Sequence, residues 1–355
     1  MPTSREPLSA HLPGDLPPGW TVSEPDAGDA PEIAELLRRH EEAARGWAGS
    51  TEDTVLVEVS AHGSITRENL LVRDDQGQAR GWASAHDRAA GRMLLIVVVD
   101  PWLGEEAAER TAQTLFAWAD RAASRIGADR GLDVQQIDSG AFAEDPRQQR
   151  WLTGAGFEKV RTWWQMNRPV TPEEASLGDE HGEGVRIRPV QRRGTGMPEE
   201  SDLHTVHEIL ESAFADHFNS HEESFDEFVF RLREDPGHRW DYWWIAELLD
   251  GTGADGDAPA EPAGALVGSV IDGDDGTPDG SYVEYIGVRS NARGRGVAKS
   301  LLRTVIADAA SRGRVRVGLE VDADSPTGAD GLYVSMGWTT KYVTQSWHRD
   351  VPVTD

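Results

Sequence analysis

The 355-residue sequence predicts a mixed α/β (α+β) protein built as two tandem copies of one fold. Three observations carry this. Short runs of alternating apolar residues are interspersed with stretches striped at the 3.6-residue helical period. The two halves also end alike: WLTGAGFEKVRTWWQMNR at 151–168 matches LYVSMGWTTKYVTQSWHR at 332–349 in pattern, 181 residues further on. A repeat on that scale means a duplicated domain. The third is YVEYIGVRSNARGRGVAKSLL at 282–302, an alternating strand pattern that runs into an Arg/Gly loop and then into a helix. Glycines let the backbone approach a ligand, and the free N–H groups and dipole of a helix start favour an anion.

Taken in order, residues 1–18 are Pro-rich and polar and read as a loose arm. A β-like piece at 20–22 precedes a helix over 30–45, striped by Ile33, Leu36 and Leu37; 50–62 is a further helix or a loop. Strands at 68–72 and 79–85 flank the turn Asp74-Asp75-Gln76-Gly77, and the apolar run 93–99 reads as a buried strand. A helix follows, with Ala108, Thr111, Leu115, Trp118 and Ala122 on its stripe. A strand near 132–137, a helix near 146–153 and a strand at 161–167 complete the first half. Residues 169–183 are rich in Pro, Gly and acid and read as a linker. The second half, 184–355, repeats the plan: a strand at 185–188, a helix over 202–214, and a shorter helix over 224–232 with Ser224 as its N-cap. Strands at 242–248 and 264–271 come next, separated by an acidic loop, then the strand, loop and helix of 282–302. A strand at 315–321, a short helix at 328–336 and a strand near 342–348 end the chain.

Composition narrows the chemistry. There is no Cys, which excludes disulfides, thiolate metal sites and a Cys nucleophile, and suits a cytoplasmic protein. The eleven His show no metal-ligand spacing, so no metal is expected. A net charge of −27 argues against nucleic acid or an anionic membrane as partner and favours a cationic substrate. No apolar run reaches the ~20 residues of a membrane span, and the N-terminus lacks the apolar segment of a signal peptide. The chain is expected to be a monomer or homodimer.

The glycine loop does not have the Gly-Lys-Ser/Thr of a P-loop. A dinucleotide fingerprint is the nearer rival: Gly294 and Gly296 follow a strand, and Glu320 and Asp322 close the next one. Lys299 stands in place of its third glycine, however, and three strands precede the loop. In the strand before it, period 2 puts Tyr282, Glu284, Ile286 and Val288 on one face.

Two motifs carry a family resemblance. Arg293-Gly294-Arg295-Gly296-Val297-Ala298 fits Arg/Gln-x-x-Gly-x-Gly/Ala, and Leu332-Tyr333-Val334-Ser335-Met336-Gly337-Trp338 fits Leu-Tyr-x-x-x-Gly-Phe with Trp for Phe. With the order of elements, these resemble the GCN5-related N-acetyltransferases (GNAT), in tandem form similar to members of the mycothiol synthase type. The resemblance covers about residues 19–168 and 184–350. It implies two tandem GNAT folds, each a mixed, mostly antiparallel sheet flanked by helices, and an acetyl-CoA-dependent N-acetyltransferase that acts on a small-molecule primary amine. The rival reading is a non-catalytic acyl-CoA-binding or partner-binding protein.

By the resemblance, amides of Arg295 to Ala298 hold the CoA pyrophosphate, with Arg293 and Arg295 adding charge. Ile286, Gly287 and Val288 line the pantetheine. Glu284 is the general base or, alternatively, a residue that only orders substrate or water. Tyr333 is the proton donor to the CoA thiolate. Ser325 stands where many relatives carry an Asn that contacts CoA. Asp216 and His217 occupy the acceptor-side loop, and Asp241, in an aromatic run, suits a cationic acceptor. The first copy departs from the pattern. Asp100-Pro101-Trp102-Leu103-Gly104-Glu105-Glu106 replaces the glycine loop, and Leu152 stands at the position of Tyr333. Residues 19–168 are therefore expected to be a degenerate copy and 184–355 the catalytic one.

Overall fold

The computed structural model describes residues 16–88, 92–194, 196–215, 224–234, 238–249, 260–271, 273, 279–324 and 328–353. The first half carries β1 (Thr21–Ser23), α1 (Ala30–Arg45), α2 (Glu52–Val59), β2 (Arg67–Arg73), β3 (Ala79–Arg88), β4 (Arg92–Val99), α3 (Glu105–Asp129), β5 (Val134–Phe142), α4 (Pro146–Gly154) and β6 (Glu158–Pro169). The second half repeats the series as β7 (Val185–Pro189), α5 (Glu200–Phe214), α6 (Phe225–Glu234), β8 (His238–Leu249), β9 (Ala260–Ile271), β10 (Gly280–Val288), α7 (Val297–Ser311), β11 (Arg316–Asp322), α8 (Ala329–Ser335) and β12 (Thr339–Pro352). Among the described residues no helix is long and apolar enough to cross a membrane.

Local chemistry explains the helix starts. Asp26 caps the turn ahead of α1, where Pro31 sits in the first turn. Thr51 and Thr54 cap α2 reciprocally, which makes 52–59 a helix. Ser224 and Glu227 do the same for α6: the Glu227 N–H donates to Ser224 Oγ at 3.3 Å, and the Ser224 N–H to Glu227 Oε2 at 3.0 Å.

The chain forms two compact units, Met1–Trp163 with Tyr342–Asp355, and Trp164–Lys341. Their borders differ from the halves expected at 19–168 and 184–355. The last strand of each half crosses over: most of β12 belongs to the first unit and the end of β6 to the second. β12 runs antiparallel to β5, from Thr344 opposite Phe142 to Pro352 opposite Val134. Arg349 of β12 is held by Asp120 of α3 at 2.8 Å, and the Trp163 indole donates to Ser346 Oγ at 2.7 Å. A repeat in sequence identifies these strands but not the edge to which each adds its hydrogen bonds.

In the first unit the strand order is β1-β2-β3-β4-β5-β12, antiparallel except for β4 with β5. One face packs on α3, with Leu115, Trp118 and Ala122 against Leu70, Val97 and Ile137. The other packs on α1 and α2, with Ile33, Leu36 and Val55 against Leu71, Trp82 and Val98. In the second unit the order is β6-β11-β10-β9-β8-β7, with β10 and β11 parallel and β7 to β10 antiparallel. Val297, Leu301, Val305 and Ile306 of α7 cover one face, and Val206, Ile209 and Phe228 of α5 and α6 the other. Full burial of each such side chain stabilises by about 1.5–3 kcal/mol.

Residues 169–183 are structured. Pro172–Asp179 is a 3-10 helix started by a capping box of Thr171 and Glu174. Glu174 pairs with Arg168, Leu177 packs on the α7 core, and the Gly182 N–H donates to Ser300 Oγ at 3.0 Å. The segment belongs to the second unit and lies along α7.

Candidate active site

The second unit builds an anion cradle at the start of α7. After Val288 the chain makes a short 3-10 turn, Ser290–Ala292, anchored by buried Ala292. Gly294 and Gly296 then take left-handed conformations, φ +78° and +80°, that L side chains avoid. The first intrahelical bond runs from the Ser300 N–H to Gly296 O at 3.0 Å. Helical geometry thus leaves the amides of Val297, Ala298 and Lys299 without intrahelical acceptors. No acidic residue stands in this first turn. Arg293 and Arg295 are exposed beside it. Gly264 lets the helix start close on the sheet, since a Cβ there would lie 2.7 Å from Val297 Cγ1.

β10 leads to that cradle, and two of its features matter. Its parallel pairing with β11 covers only Ser281–Val283 against Val317–Leu319, while its pairing with β9 continues to Val288. The two parallel strands therefore part after Val283, opening one flank of the main chain over 284–288. The second feature is a β-bulge between Val283 and Tyr285. The extra residue, Glu284, breaks the alternation. Tyr285 faces the α5/α6 cluster, while Ile286 and Val288 face the α7 cluster. Glu284 meets Ser269, whose hydroxyl donates to its Oε1. The single face expected for Glu284, Ile286 and Val288 is thus corrected, because the bulge shifts the parity of the strand. Gly287 faces α5, where a Cβ would lie 3.0 Å from both Ala213 Cβ and Leu210 Cδ2.

Tyr333 lies on α8 and is buried in the cluster that holds Val297 and Leu301, with Ile286 and Val288 packed on it. Its ring meets Trp338 edge-on at 6.1 Å. Burial pushes its phenol up to about 12, so it stays protonated throughout the physiological range.

Of the other sequence candidates, Asp216, His217 and Ser325 lie outside the described residues. Asp241 lies far from the glycine loop. Its carboxylate is held by Arg312 at 3.0 Å, beside the C-terminal end of α7. The fifteen residues of that helix put about 22 Å between Arg312 and the glycine loop. Among the described residues no group of three or more His, Asp or Glu is arranged to hold a metal. Sequence reasoning passed over Ser269, which left no local signal, and Arg231, whose Nη1 donates to Tyr285 Oη at 2.6 Å next to the bulge.

The first unit has the same strand parting without the cradle. β4 and β5 pair only over Arg92–Leu95 with Gln136–Ser139. Beyond that point the Gln148 side chain, from α4, donates to Val97 O at 3.3 Å and so occupies the flank of β4. Asp100 is fully buried and held by Arg80 at 2.8 Å and Arg39 at 3.3 Å. Glu105 and Glu106 fill the first turn of α3, where they repel an anion. Leu152 is buried where the second unit has Tyr333.

Residues 203–338 match the acetyltransferase (GNAT) family. Over that stretch the chain is similar to the GNAT superfamily. It is 30% identical over 216 residues to a mycothiol acetyltransferase of Thermobispora bispora, a match that covers 59% of this chain and 64% of that relative. A GCN5-related N-acetyltransferase from Sphaerobacter thermophilus superposes with a TM-score of 0.70 at 24% identity, over 95% of this chain and 97% of the other. A tandem GNAT protein from the clavulanic acid biosynthesis pathway gives 0.64 at 14% identity, over 95% of this chain and 100% of the other. The two structural likenesses extend over both halves and agree in fold with two tandem GNAT copies.

Proposed function

We propose that this protein is an acetyl-CoA-dependent N-acetyltransferase that acetylates a primary amine of a small molecule in the cytoplasm, in a ternary complex at the second unit. The observation that carries the reading is Glu284, bulged out where β10 leaves β11, one strand end away from a helix start free of acidic residues behind two left-handed glycines. A pure acyl-CoA binder needs the cradle but not the carboxylate. A dinucleotide-binding role loses ground because the sheet is mostly antiparallel around the loop.

In the reaction, amides of Arg295 to Ala298 hold the pyrophosphate, and the pantetheine lies along the open flank of Ile286 to Val288. An N–H of this flank receives the thioester oxygen as it gains charge. An amine with a pKa near 10 arrives mostly protonated, and Glu284 takes its proton. The nitrogen lone pair then attacks the carbonyl carbon; the adduct nitrogen, now positively charged, releases its second proton to solvent, and collapse of the adduct breaks the C–S bond, leaving the electron pair on sulfur. Tyr333 donates a hydrogen bond to that sulfur. Full transfer of its proton would be uphill by about 3.5 pKa units, or ~5 kcal/mol, against a thiol of about 8.5. Tyr333 therefore stabilises the thiolate and largely keeps its own proton.

The filled β4 flank and acidic α3 start favour one acetyl-CoA per chain, with the first unit in a structural or substrate-shaping role. The resemblance to a mycothiol acetyltransferase favours, as a second and narrower reading, the mycothiol precursor as acceptor. The test is release of CoA thiol from acetyl-CoA across a panel of amines and amino sugars together with that precursor. Release that depends on an amine supports the reading, and binding of acetyl-CoA without turnover on any of them refutes it.

A further inference from the structure

We infer that Glu320, held in place by Gln165 of the exchanged strand β6, is a second carboxylate of the acceptor site that binds the incoming amine in its protonated form. This rests on the reading of the second unit as an amine acetyltransferase. Register makes the case. Tyr282 of β10 lies opposite Gly318 of β11, and pairing ends one residue later, at Val283 with Leu319. Glu284 and Glu320 are each the first residue beyond that last matched pair, one on each strand, where the two strands begin to part. Val317, Leu319 and Val321 pack in the α7 cluster, so Gly318 and Glu320 point to the other face, the one that carries Ser269 and Glu284.

Gly318 is required there. A Cβ would lie 2.7 Å from Asn167 Oδ1 and 2.9 Å from Tyr282 Cδ2, so the Tyr282 ring lies across the strand. The Tyr282 hydroxyl donates to Gln165 Oε1 at 3.4 Å, which leaves the Gln165 amide N–H to donate to Glu320 Oε2, as it does. An amide N–H favours the ionised carboxylate. Glu320 is an exposed residue whose carboxyl is nonetheless crowded by protein. That crowding, opposed by Gln165 and reinforced by Asp322, raises its carboxyl above the ordinary range of about 4. The groups that act on it are Gln165 from β6, which does not titrate, and Asp322 from its own strand, while Asn167 and Tyr282 lie against the neighbouring Gly318. With Glu284 already accepting from Ser269, a second carboxylate can hold the ammonium while Glu284 takes its proton.

Steady-state kinetics of Glu320→Gln and Gln165→Leu, with glucosamine, ethanolamine and 1,2-diaminoethane as probes, test this. Glu320→Gln should raise the KM for the amine about tenfold or more, with kcat at saturating amine within about twofold and acetyl-CoA affinity unchanged. Gln165→Leu should move the pH dependence of the amine KM upward, because Glu320 then ionises at higher pH; a purely structural role would not shift that profile. An unchanged amine KM in Glu320→Gln, or a loss shared equally with acetyl-CoA affinity, overturns the assignment while the proposed reaction stands. If wild type consumes acetyl-CoA with none of these amines and none of the wider panel, the proposed reaction falls and this assignment with it.

Discussion

Replacing Gly296 by Ala tests the cradle at its most demanding point. Gly296 caps α7 at φ +80°, ψ +6°, and a Cβ would meet nothing nearer than Gly182 Cα at 3.8 Å. The substitution therefore adds no clash. Its effect is the cost of a left-handed L-residue, about 1–2 kcal/mol. The loop is exposed, so the substituted residue relaxes toward negative φ in the free protein and turns the first-turn amides away. Acetyl-CoA must then restore the left-handed form, and its Kd should rise about 5- to 30-fold, at 1.4 kcal/mol per factor of ten. Gly313→Ala is the matched control. Gly313 sits at φ +71°, also with open space around it, just beyond the far end of the same helix. Calorimetric titration with acetyl-CoA should find a weakened Kd in Gly296→Ala and the wild-type value in Gly313→Ala, both variants losing little stability. A wild-type Kd in Gly296→Ala, or equal weakening in both, would refute the cradle.

Glu284→Gln should lower kcat by about 10²- to 10⁴-fold, the usual worth of a general base, with acetyl-CoA Kd unchanged by titration. Tyr333→Phe should lower kcat with little change in acetyl-CoA Kd, and the wild-type kcat profile should have no limb from this phenol below about pH 11, as checked by pH–rate measurements. Titration of wild type should find one acetyl-CoA per chain; two equal sites would contradict the account of β4 and α3. Arg188 bonds to Asp202 at 2.7 and 2.8 Å and to Glu247 at 2.8 Å. Burial alone would raise both carboxyls, but these bonds hold each below its ordinary value. The network's stabilisation should be fully present at neutral pH and fade as pH falls below about 4; Asp202→Asn should lose about 2 kcal/mol at pH 7 by urea unfolding and flatten that acid dependence.

The sequence reports what is local and misses what depends on pairing. Gly294 and Gly296 were legible because a left-handed backbone leaves a glycine in the text. Tyr333 was legible from its motif, and its burial among apolar neighbours fits their spacing along α7. The parity of Glu284 was not legible, since a bulge exists only relative to the register of β9. For the same reason the exchange of β6 and β12 could not be read from a repeat that marks both strands alike. The pairing of Asp241 with Arg312 was not legible, because the two lie 71 residues apart. Residues 169–183 look like a linker by composition, although Thr171 and Glu174 spell a capping box that begins a helix.

The central claim is that the second unit joins an acetyl-CoA cradle to a base at the parting of β10 and β11. The most direct measurement is the release of CoA thiol by wild type and Glu284→Gln, with and without an amine acceptor, at saturating acetyl-CoA. The account predicts release that requires the amine in wild type and is nearly abolished in Glu284→Gln while acetyl-CoA still binds. Equal release by the two proteins, or binding by wild type with no release for any amine, would contradict it.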